Sequence, residues 1–298
     1  MRIHWFSITV FGMAYGRLKL WEDYFAALGV LVPMGHGGRS YRAIEEGLLG
    51  AKVYSDPVRL GELGQSHFHI EIPGQACDAL LPSVFPTLLA ELTANELRFN
   101  VKRLDLAFDD VPFSPQEFLE ALQGDEVVSL AKRRTIRIEQ SPYQVTEDGK
   151  GTGTITVYLG ANSSERMVRV YNKRGPVRLE FQMRDKRAHA VAMDVFSTEY
   201  ADWELKAKGH LRQFLDFCDV DWWGLFVHSV IRENLLISSA RVVTFGGMER
   251  WLEKQVSVAL SVWFDVRGEE ANDAFRKMLK KARRRDRSRY SAILELAE

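Results

Sequence analysis

Apolar and polar residues alternate in three successive segments near the middle of the chain, over residues 155–159, 167–173 and 177–183. A period of two residues is typical of a β-strand that buries one of its two faces. Glycine, asparagine and serine fill the first connection, and Arg174-Gly175-Pro176 lie in the second. Because these residues favour turns, the pattern predicts three consecutive strands joined by short loops.

Alternation also determines which side chains share a face of these strands. On the middle strand, Arg169, Tyr171 and Lys173 point to the same side. The polar face of the third strand holds four residues: Arg178, Glu180, Gln182 and Arg184. If the two strands pair with their polar faces on one side, a phenol, a lysine, several arginines and a carboxylate meet on one surface. Such a combination indicates a functional site.

The remaining patterns predict further strands and helices on both sides of this centre. Strands are predicted over 4–10, 41–48, 51–54, 67–72, 101–109 and 135–140, with a strand candidate over 241–245. Helices are predicted over 15–28, 77–97, 115–122, 185–217, 248–266 and 272–296, and 222–230 suits either type. The region of Pro82 and Pro86 interrupts helix 77–97 early, and helix 185–217 has a break or a capping box at Ser197. We expect an α+β fold with an antiparallel-rich curved β-sheet and flanking helices. We also expect an α+β domain over 1–190 and a mainly helical section over 191–298 that packs on it as one unit.

Composition sets few limits on the partner of this protein. The chain has 298 residues, 46% hydrophobic content and zero formal net charge, so no overall field draws it to nucleic acid or membranes. Its apolar runs are shorter than the ~20 residues that span a bilayer, and its N-terminus lacks a signal-peptide pattern. Cys77 and Cys218 suggest buried free thiols. We therefore expect a cytoplasmic protein with no membrane partner.

Four carboxylates lie on the polar faces of predicted strands: Glu71, Asp105, Asp109 and Glu180. Carboxylate oxygens on rigid strands suit Mg²⁺ or Mn²⁺, since these hard ions take oxygen ligands. The alternative is that each carboxylate pairs with a neighbouring arginine on an open sheet face, for example Arg103. The coincidence of several carboxylates with a tyrosine and a lysine favours a metal site.

Tyr171 is the candidate nucleophile on this surface. A phenol has a reference pKa of about 10, so it needs a metal or cation nearby to act as phenolate at neutral pH. Lys173 and Arg169 project from the same face and could supply that field or hold a phosphate. The alternative is an ordinary strand tyrosine with a buried ring.

The pair His67 and His69 forms a second-rank set of candidate metal ligands. The two imidazoles lie on one face of the predicted strand 67–72, together with Glu71. An exposed or hydrogen-bonded histidine pair accounts for the same pattern, and as a three-residue motif it carries little weight.

Five short motifs follow one another along the chain, at Glu71–Cys77, Arg103–Asp109, Tyr158–Ser164, Arg169–Lys173 and Arg178–Glu180. In this order they resemble the motifs of the Rep_trans replication-initiation family. The resemblance extends from Ile3 to Ala190, and the segment from Trp251 is also similar. Pro73 and Ala76 depart from the family pattern, as does the Gly-Ala-Asn-Ser-Ser turn after Leu159. These departures touch turn geometry rather than the chemistry.

The resemblance implies a reaction and assigns roles to the site residues. Tyr171 attacks a phosphodiester at a replication origin, forms a 5′-phosphotyrosine link and frees a 3′-OH, which starts rolling-circle replication of a plasmid or phage. The implied ligands of Mg²⁺ or Mn²⁺ are Asp105 and Glu180, with Glu71 or Asp109. Lys173 and Arg169 stabilise the developing charge.

The resemblance also implies partners. These are origin DNA that is partly single-stranded and a second copy of the chain, and a host helicase remains open. The candidate DNA contacts are Arg178, Arg184, Lys280, Lys281, Arg283, Arg284, Arg285 and Arg287. Clustered cations neutralise phosphates even in a chain without net charge, although cations near a helix C-terminus also complement its macrodipole. Trp222 and Trp223 could stack on bases, but core positions explain them better.

Two other functions fit the same residues. A conjugative-type relaxase shares the chemistry but acts at a different origin. A DNA-binding initiator or regulator keeps the fold without cleaving, and the combination of Tyr171 with Asp105 and Glu180 argues against it. If Tyr171 is not the nucleophile, Tyr158 is the next candidate.

Overall fold

A ten-stranded antiparallel sheet organises the first of two compact units, Met1–Ile237; the second unit is Ser238–Glu298. The computed structural model describes residues 1–12, 16–61, 64–124, 127–131, 135–140, 155–172, 175–228, 230, 252 and 256–283. The strands are β1 (Arg2–Phe11), β2 (Val32–Pro33), β3 (Tyr41–Glu46), β4 (Lys52–Pro57), β5 (His67–Pro73), β6 (Phe99–Asp109), β7 (Val127–Ser129), β8 (Ile136–Gln140), β9 (Ile155–Leu159), β10 (Arg166–Asn172), β11 (Val177–Arg184) and β12 (Leu215–Phe217). The large sheet has the order β2-β3-β4-β5-β1-β6-β11-β10-β9-β8, and β7 pairs with β12 in a separate small sheet.

Helices follow or connect these strands. In the first unit they are α1 (Arg17–Phe25), α2 (Gly74–Asp78), α3 (Val84–Ala94), α4 (Pro115–Gln123), α5 (Asp185–Phe196), α6 (Trp203–Phe214) and α7 (Asp221–Val227). Short 3₁₀ turns lie at Ala26–Leu28, Leu48–Gly50 and Tyr200–Asp202. The second unit contains α8 (Ser257–Arg267) and α9 (Ala271–Arg283), joined by the 3₁₀ turn Gly268–Glu270.

One face of the large sheet is apolar, and helices cover it. Phe85 of α3 packs edge-on against Phe6 of β1, with 5.0 Å between the ring centroids. Phe214 of α6 stacks on Phe181 of β11 at 5.9 Å. These rings belong to a continuous apolar core. Burial of that whole core is the dominant favourable contribution to folding. Because the helices occupy this face, the polar residues of β6, β10 and β11 gather on the opposite one.

The predicted α+β class and large antiparallel sheet are confirmed, and two local predictions are wrong. The interruption predicted in helix 77–97 is present, because α2 and α3 are separate helices with Pro82 between them. The sequence predicts helix up to residue 217, whereas Leu215–Phe217 forms the strand β12. Its partner strand, β7, has three residues and is too short to show a pattern in the sequence. Cys77 is buried as expected, but Cys218 is exposed.

The chain divides into two compact units after Ile237. The expected boundary between residues 190 and 191 lies inside α5. The expected division into domains 1–190 and 191–298, packed as one unit, stays a prediction.

The second unit, taken by itself, joins its two helices through aromatic rings. Phe264 of α8 and Phe275 of α9 lie 5.5 Å apart between ring centroids. Helix α9 covers the first part of the predicted last helix, and the strand candidate 241–245 lies outside the described residues. Across the described ranges, no helix has the length and apolar character to cross a membrane.

Ser114 forms a capping box at the start of α4. Its hydroxyl accepts from the Glu117 backbone N–H at 3.1 Å, and the Glu117 carboxylate accepts from the Ser114 N–H at 2.7 Å. Ser114→Ala removes this cap, so we expect a loss of about 1 kcal/mol in the free energy of unfolding, measured by urea denaturation. Ser83→Ala is the matched control, because Ser83 precedes α3 without a side-chain cap. An equal loss in both variants would contradict the assignment.

Candidate functional site

Strand register brings the candidate residues of three strands onto one face of the sheet. Tyr171 of β10 lies opposite Arg178 of β11, which lies opposite Asp109 of β6. Two residues before Tyr171 on β10, Arg169 lies opposite Glu180 of β11. Directly opposed residues of antiparallel strands project to the same side. We call the set made of Asp105, Asp109, Arg169, Tyr171, Arg178 and Glu180 the tyrosine cluster.

The phenol of Tyr171 is bound to a buried carboxylate. Its hydroxyl donates to Glu180 Oε1 over 2.5 Å. Burial, together with this hydrogen bond, raises the pKa of Tyr171 to about 12. Tyr171 therefore carries its proton at neutral pH, and Glu180 is placed to accept that proton.

Glu180 is the centre of the cluster and is fully buried. Arg169 donates to its Oε2, and Arg178 Nη1 lies 3.7 Å from its Oε1. His4 Nε2 lies 3.3 Å from the same Oε1. A buried carboxylate needs such partners, because an uncompensated charge in the interior is costly.

Asp105 is the second fully buried carboxylate of the cluster. Arg103 donates to it through Nε at 2.9 Å and Nη2 at 2.6 Å. Arg169 Nη2 also lies 3.9 Å from Asp105 Oδ2. Burial raises the pKa of Asp105, and Arg103 opposes that shift. The guanidinium of Arg169 is thus a cation placed against two buried carboxylates.

The charge of Arg169 is well maintained in this position. Burial lowers its pKa, but the carboxylates of Glu180 and Asp105 outweigh that effect and hold the pKa above its ordinary value. Arg169 therefore acts as a fixed positive charge beside the Tyr171 hydroxyl and not as a proton donor.

Asp109 and Arg178 form the third ion pair of the cluster. Arg178 donates to Asp109 through Nε at 2.5 Å and Nη2 at 3.0 Å, and Arg2 Nη2 reaches Asp109 at 2.7 Å. Arg178 is 1% exposed, so its guanidinium is closed to a DNA phosphate in this arrangement. Arg184, by contrast, lies at the end of β11 and donates to the backbone oxygen of Asn162.

The donor set of the cluster suits a divalent cation chemically. Asp105 and Glu180 are buried oxygen donors on adjacent strands, with the His4 imidazole beside them, and hard ions prefer such oxygens. In the part of the chain that the structure describes, no three histidine, cysteine or acidic groups are arranged to hold a metal. Arginines pair with the carboxylates, as the alternative expectation states. The position of Arg169 nevertheless marks where positive charge is needed.

Glu71 does not join the tyrosine cluster. It lies on β5, and β1, β6 and β11 separate that strand from β10. Since neighbouring strands lie about 4.8 Å apart, β5 and β10 are ~19 Å from each other. Glu71 instead accepts from Arg39 at 2.7 Å and from the Tyr54 hydroxyl at 2.9 Å.

His67 and His69 lie on the same distant strand and bind protein groups. His69 Nδ1 is 3.0 Å from the Thr9 hydroxyl, and burial lowers its pKa to about 3. His67 Nδ1 is 2.8 Å from the Tyr41 hydroxyl. The hydrogen-bonded alternative therefore describes this pair as the structure shows it.

Several predicted site residues fall outside what the structure describes. These are Lys173, Arg284, Arg285 and Arg287, and of Lys281 and Arg283 only the backbone in α9 is described. Lys280 is exposed on α9. Trp223 is buried among aromatic rings and donates to Asp216 at 2.6 Å, which supports the core interpretation. Tyr158, on β9, donates to Glu139 at 2.8 Å.

His4 is the site residue that the sequence pattern misses. Strict alternation places His4 on the face opposite Trp5, but a register shift in β1 between Ile3 and Trp5 lets His4 reach Glu180. A Cβ on Gly74 would lie 2.4 Å from the His4 ring. The glycine in the Glu71–Cys77 motif therefore makes room for His4. This glycine is the sequence feature that could have indicated the position of His4.

Comparison with known proteins identifies a similar fold and a family. A solved structure described as the rolling circle replication initiator protein from Geobacillus stearothermophilus is similar in fold, with a TM-score of 0.58 and 23% identity over 77% of this chain and 96% of that one. The comparison with curated proteins gave no significant match. The family model for the replication initiation factor, Rep_trans, matches residues 99–279, which is more than half of the chain and includes β6, β10 and β11. The chain therefore belongs to the replication initiation factor family.

Proposed function

We propose that this protein nicks one DNA strand at a replication origin, with Tyr171 as nucleophile, and so starts rolling-circle replication of a plasmid or phage. Family membership and the fold of a rolling circle initiator support the process. The observation that carries the chemistry is the hydrogen bond from Tyr171 to buried Glu180, with Arg169 on the same carboxylate. An acid–base pair beside a fixed cation is what phosphodiester attack by a phenol needs.

The reaction follows from this arrangement. The Tyr171 oxygen attacks the phosphorus, and Glu180 Oε1 takes the phenolic proton as the bond forms. A pKa of about 12 requires this transfer, because little phenolate exists at neutral pH. The bond from phosphorus to O3′ breaks, and O3′ takes a proton from solvent. The products are a 5′-phosphotyrosine and a free 3′-OH.

Cations of the chain stabilise the charge that develops on the phosphate. Arg169 lies beside the attacking oxygen, and its charge is held there by Glu180 and Asp105. Lys173, which lies outside the described residues, follows Tyr171 by two residues in the sequence, and we propose the same task for it.

We further propose that Asp105 and Glu180 hold Mg²⁺ or Mn²⁺ while DNA is bound, with Asp109 as the third candidate ligand. When bound, such an ion would polarise the scissile phosphate and lower the pKa of the phenol. Arg169 would then be released to contact the phosphate, because the ion would replace its charge beside the carboxylates. The remaining partners are origin DNA with a single-stranded part, a second copy of the chain and a host helicase.

The nicking assay on supercoiled DNA carrying the replicon's own origin tests this function. With Mg²⁺ or Mn²⁺ we expect nicked circles with protein attached through a tyrosine. With EDTA we expect no product, because without the ion nothing polarises the scissile phosphate. Recovery on adding back Mn²⁺ controls for damage by the chelator. Equal nicking in EDTA would exclude the metal proposal but leave the tyrosine mechanism standing.

A second candidate is a DNA-binding initiator that does not cleave. The pairing of each cluster carboxylate with an arginine and the high pKa of Tyr171 favour it. It predicts salt-sensitive origin binding without nicking at any metal concentration. A conjugative-type relaxase shares the chemistry, and nicking of a transfer origin in place of a replication origin would identify it.

A further inference from the structure

A polar cavity of about 470 Å³ lies on the same sheet face as the tyrosine cluster, toward the start of β6 and the end of β11. Its floor includes Ser7, His69 and Glu71 from β1 and β5. Arg39, Lys102 and Arg184 also line it. Arg103, the partner of Asp105, lines it too, so the cavity and the cluster are neighbours. A volume of this size suits a small organic group.

Ser7 places a hydroxyl on the floor of the cavity. The residue is 3% exposed, so the surrounding packing fixes its position. A hydroxyl can both donate and accept a hydrogen bond. Ser7 therefore marks a position where a bound molecule gains a hydrogen bond.

His69 offers a ring nitrogen beside it. Its Nδ1 lies 3.0 Å from the Thr9 hydroxyl, and this contact fixes the ring. The residue lines the cavity, and Nε2 is its second ring nitrogen. A hydroxyl and a ring nitrogen held rigidly on one floor match the donor and acceptor edge of a nucleobase.

Cationic side chains line the cavity around this floor. Arg39 pairs with Glu71 at 2.7 Å, and Lys102 lies 3.2 Å from Asp185. Arg184 contacts a neutral group, the backbone oxygen of Asn162. Arg184 and Lys102 can therefore take a phosphate without uncovering a buried carboxylate. Polar groups that can contact a base lie on the floor, and cations that can bind a phosphate line the cavity around it. A nucleotide site needs both.

We infer that this cavity takes one unstacked nucleotide of the single DNA strand held at the tyrosine cluster, with the base on Ser7 and His69 and the phosphate near Arg184. The inference rests on the proposed function, since it places the cavity a few nucleotides from the scissile phosphate on the same face. It gives the chain a means of reading one base of the origin outside the nick itself.

Binding of single-stranded oligonucleotides tests the inference. The full chain with Tyr171→Phe, which cannot cleave, is titrated against a fluorescent nick-site oligonucleotide and a series with one abasic position each. We expect one abasic position to weaken binding sharply. Ser7→Ala weakens the intact oligonucleotide about 3- to 10-fold, as one lost hydrogen bond does, and removes most of the penalty at that same position. Ser55→Ala, at a buried serine outside the cavity, leaves the whole series unchanged.

Three results separate the outcomes. If each abasic position weakens the binding of Ser7→Ala as much as it weakens the binding of the protein with Ser7, the inference is overturned. If free deoxynucleoside monophosphates bind with Ser7-dependent affinity while the abasic series is flat, the ligand is a free nucleotide and the strand assignment fails. Arg184→Gln supplies an independent variant: it weakens all oligonucleotides alike and lowers the salt dependence by about one phosphate contact. Nicking by the unmodified chain is scored separately, so loss of the proposed function is visible by itself.

Discussion

Tyr171→Phe is expected to abolish strand cleavage and the covalent protein–DNA product while DNA binding stays near that of the unmodified chain. Removal of the nucleophile costs ~10⁴-fold or more in rate where a catalytic group acts as part of a unit. The phenylalanine ring keeps the packing of the half-buried tyrosine and loses only the hydroxyl that donates to Glu180. The measurement is nicking of origin DNA together with denaturing electrophoresis of the attached protein.

Tyr158→Phe is the matched control for this experiment. Tyr158 lies on the adjacent strand, opposite Arg169, and its hydroxyl also donates to a glutamate, Glu139. The two tyrosines differ in that only Tyr171 contacts the buried carboxylate of the cluster. We expect Tyr158→Phe to nick normally. Cleavage that survives Tyr171→Phe and disappears in Tyr158→Phe would identify Tyr158 as the nucleophile.

The alternation of residues was enough to predict much of the cluster. A period of two fixes the shared face of Arg169 and Tyr171, and likewise of Arg178 and Glu180, whatever the strands pair with. Once β10 and β11 form a hairpin, register follows within a residue or two, so Tyr171 and Glu180 meet. Local patterns therefore predict the contents of this part of the site.

Pairing between distant strands could not be predicted in the same way. Glu71 and Glu180 look equivalent in the sequence, yet the sheet order places β1 and β6 between their strands. His4 reaches the cluster through a register shift that leaves no mark on the pattern of β1. The pairing of β7 with β12 joins segments about 90 residues apart, which no local period encodes.

Burial also decides between roles that the sequence leaves equal. Arg178 and Arg184 occupy the same face of the third central strand, and the sequence assigns both to DNA. Arg178 lies within the tyrosine cluster, between two carboxylates, whereas Arg184 lines the polar cavity. The same residue type thus belongs to a buried ion-pair network at one end of β11 and lines the polar cavity at the other.

Arg178→Met is expected to lower the free energy of unfolding by about 3–5 kcal/mol, the largest stability effect among the variants of the cluster. The methionine fills similar volume, but Glu180 loses one of its cations while it remains fully buried, and Asp109 loses the arginine that binds it through two nitrogens. Removing one partner of a buried charge network has costs of this size, because the remaining charge stays desolvated. Urea denaturation followed by circular dichroism measures the change.

Arg2→Met is the control, since Arg2 binds the same carboxylate of Asp109 at 2.7 Å but is 46% exposed. A solvent-exposed ion pair contributes about 0–1 kcal/mol, so this variant should unfold close to the unmodified chain. A large loss in Arg178→Met against a small one in Arg2→Met assigns Arg178 to the fold. If instead Arg178→Met keeps its stability and binds origin DNA more weakly, Arg178 contacts the DNA backbone as the sequence predicts, and the cluster must open when DNA binds.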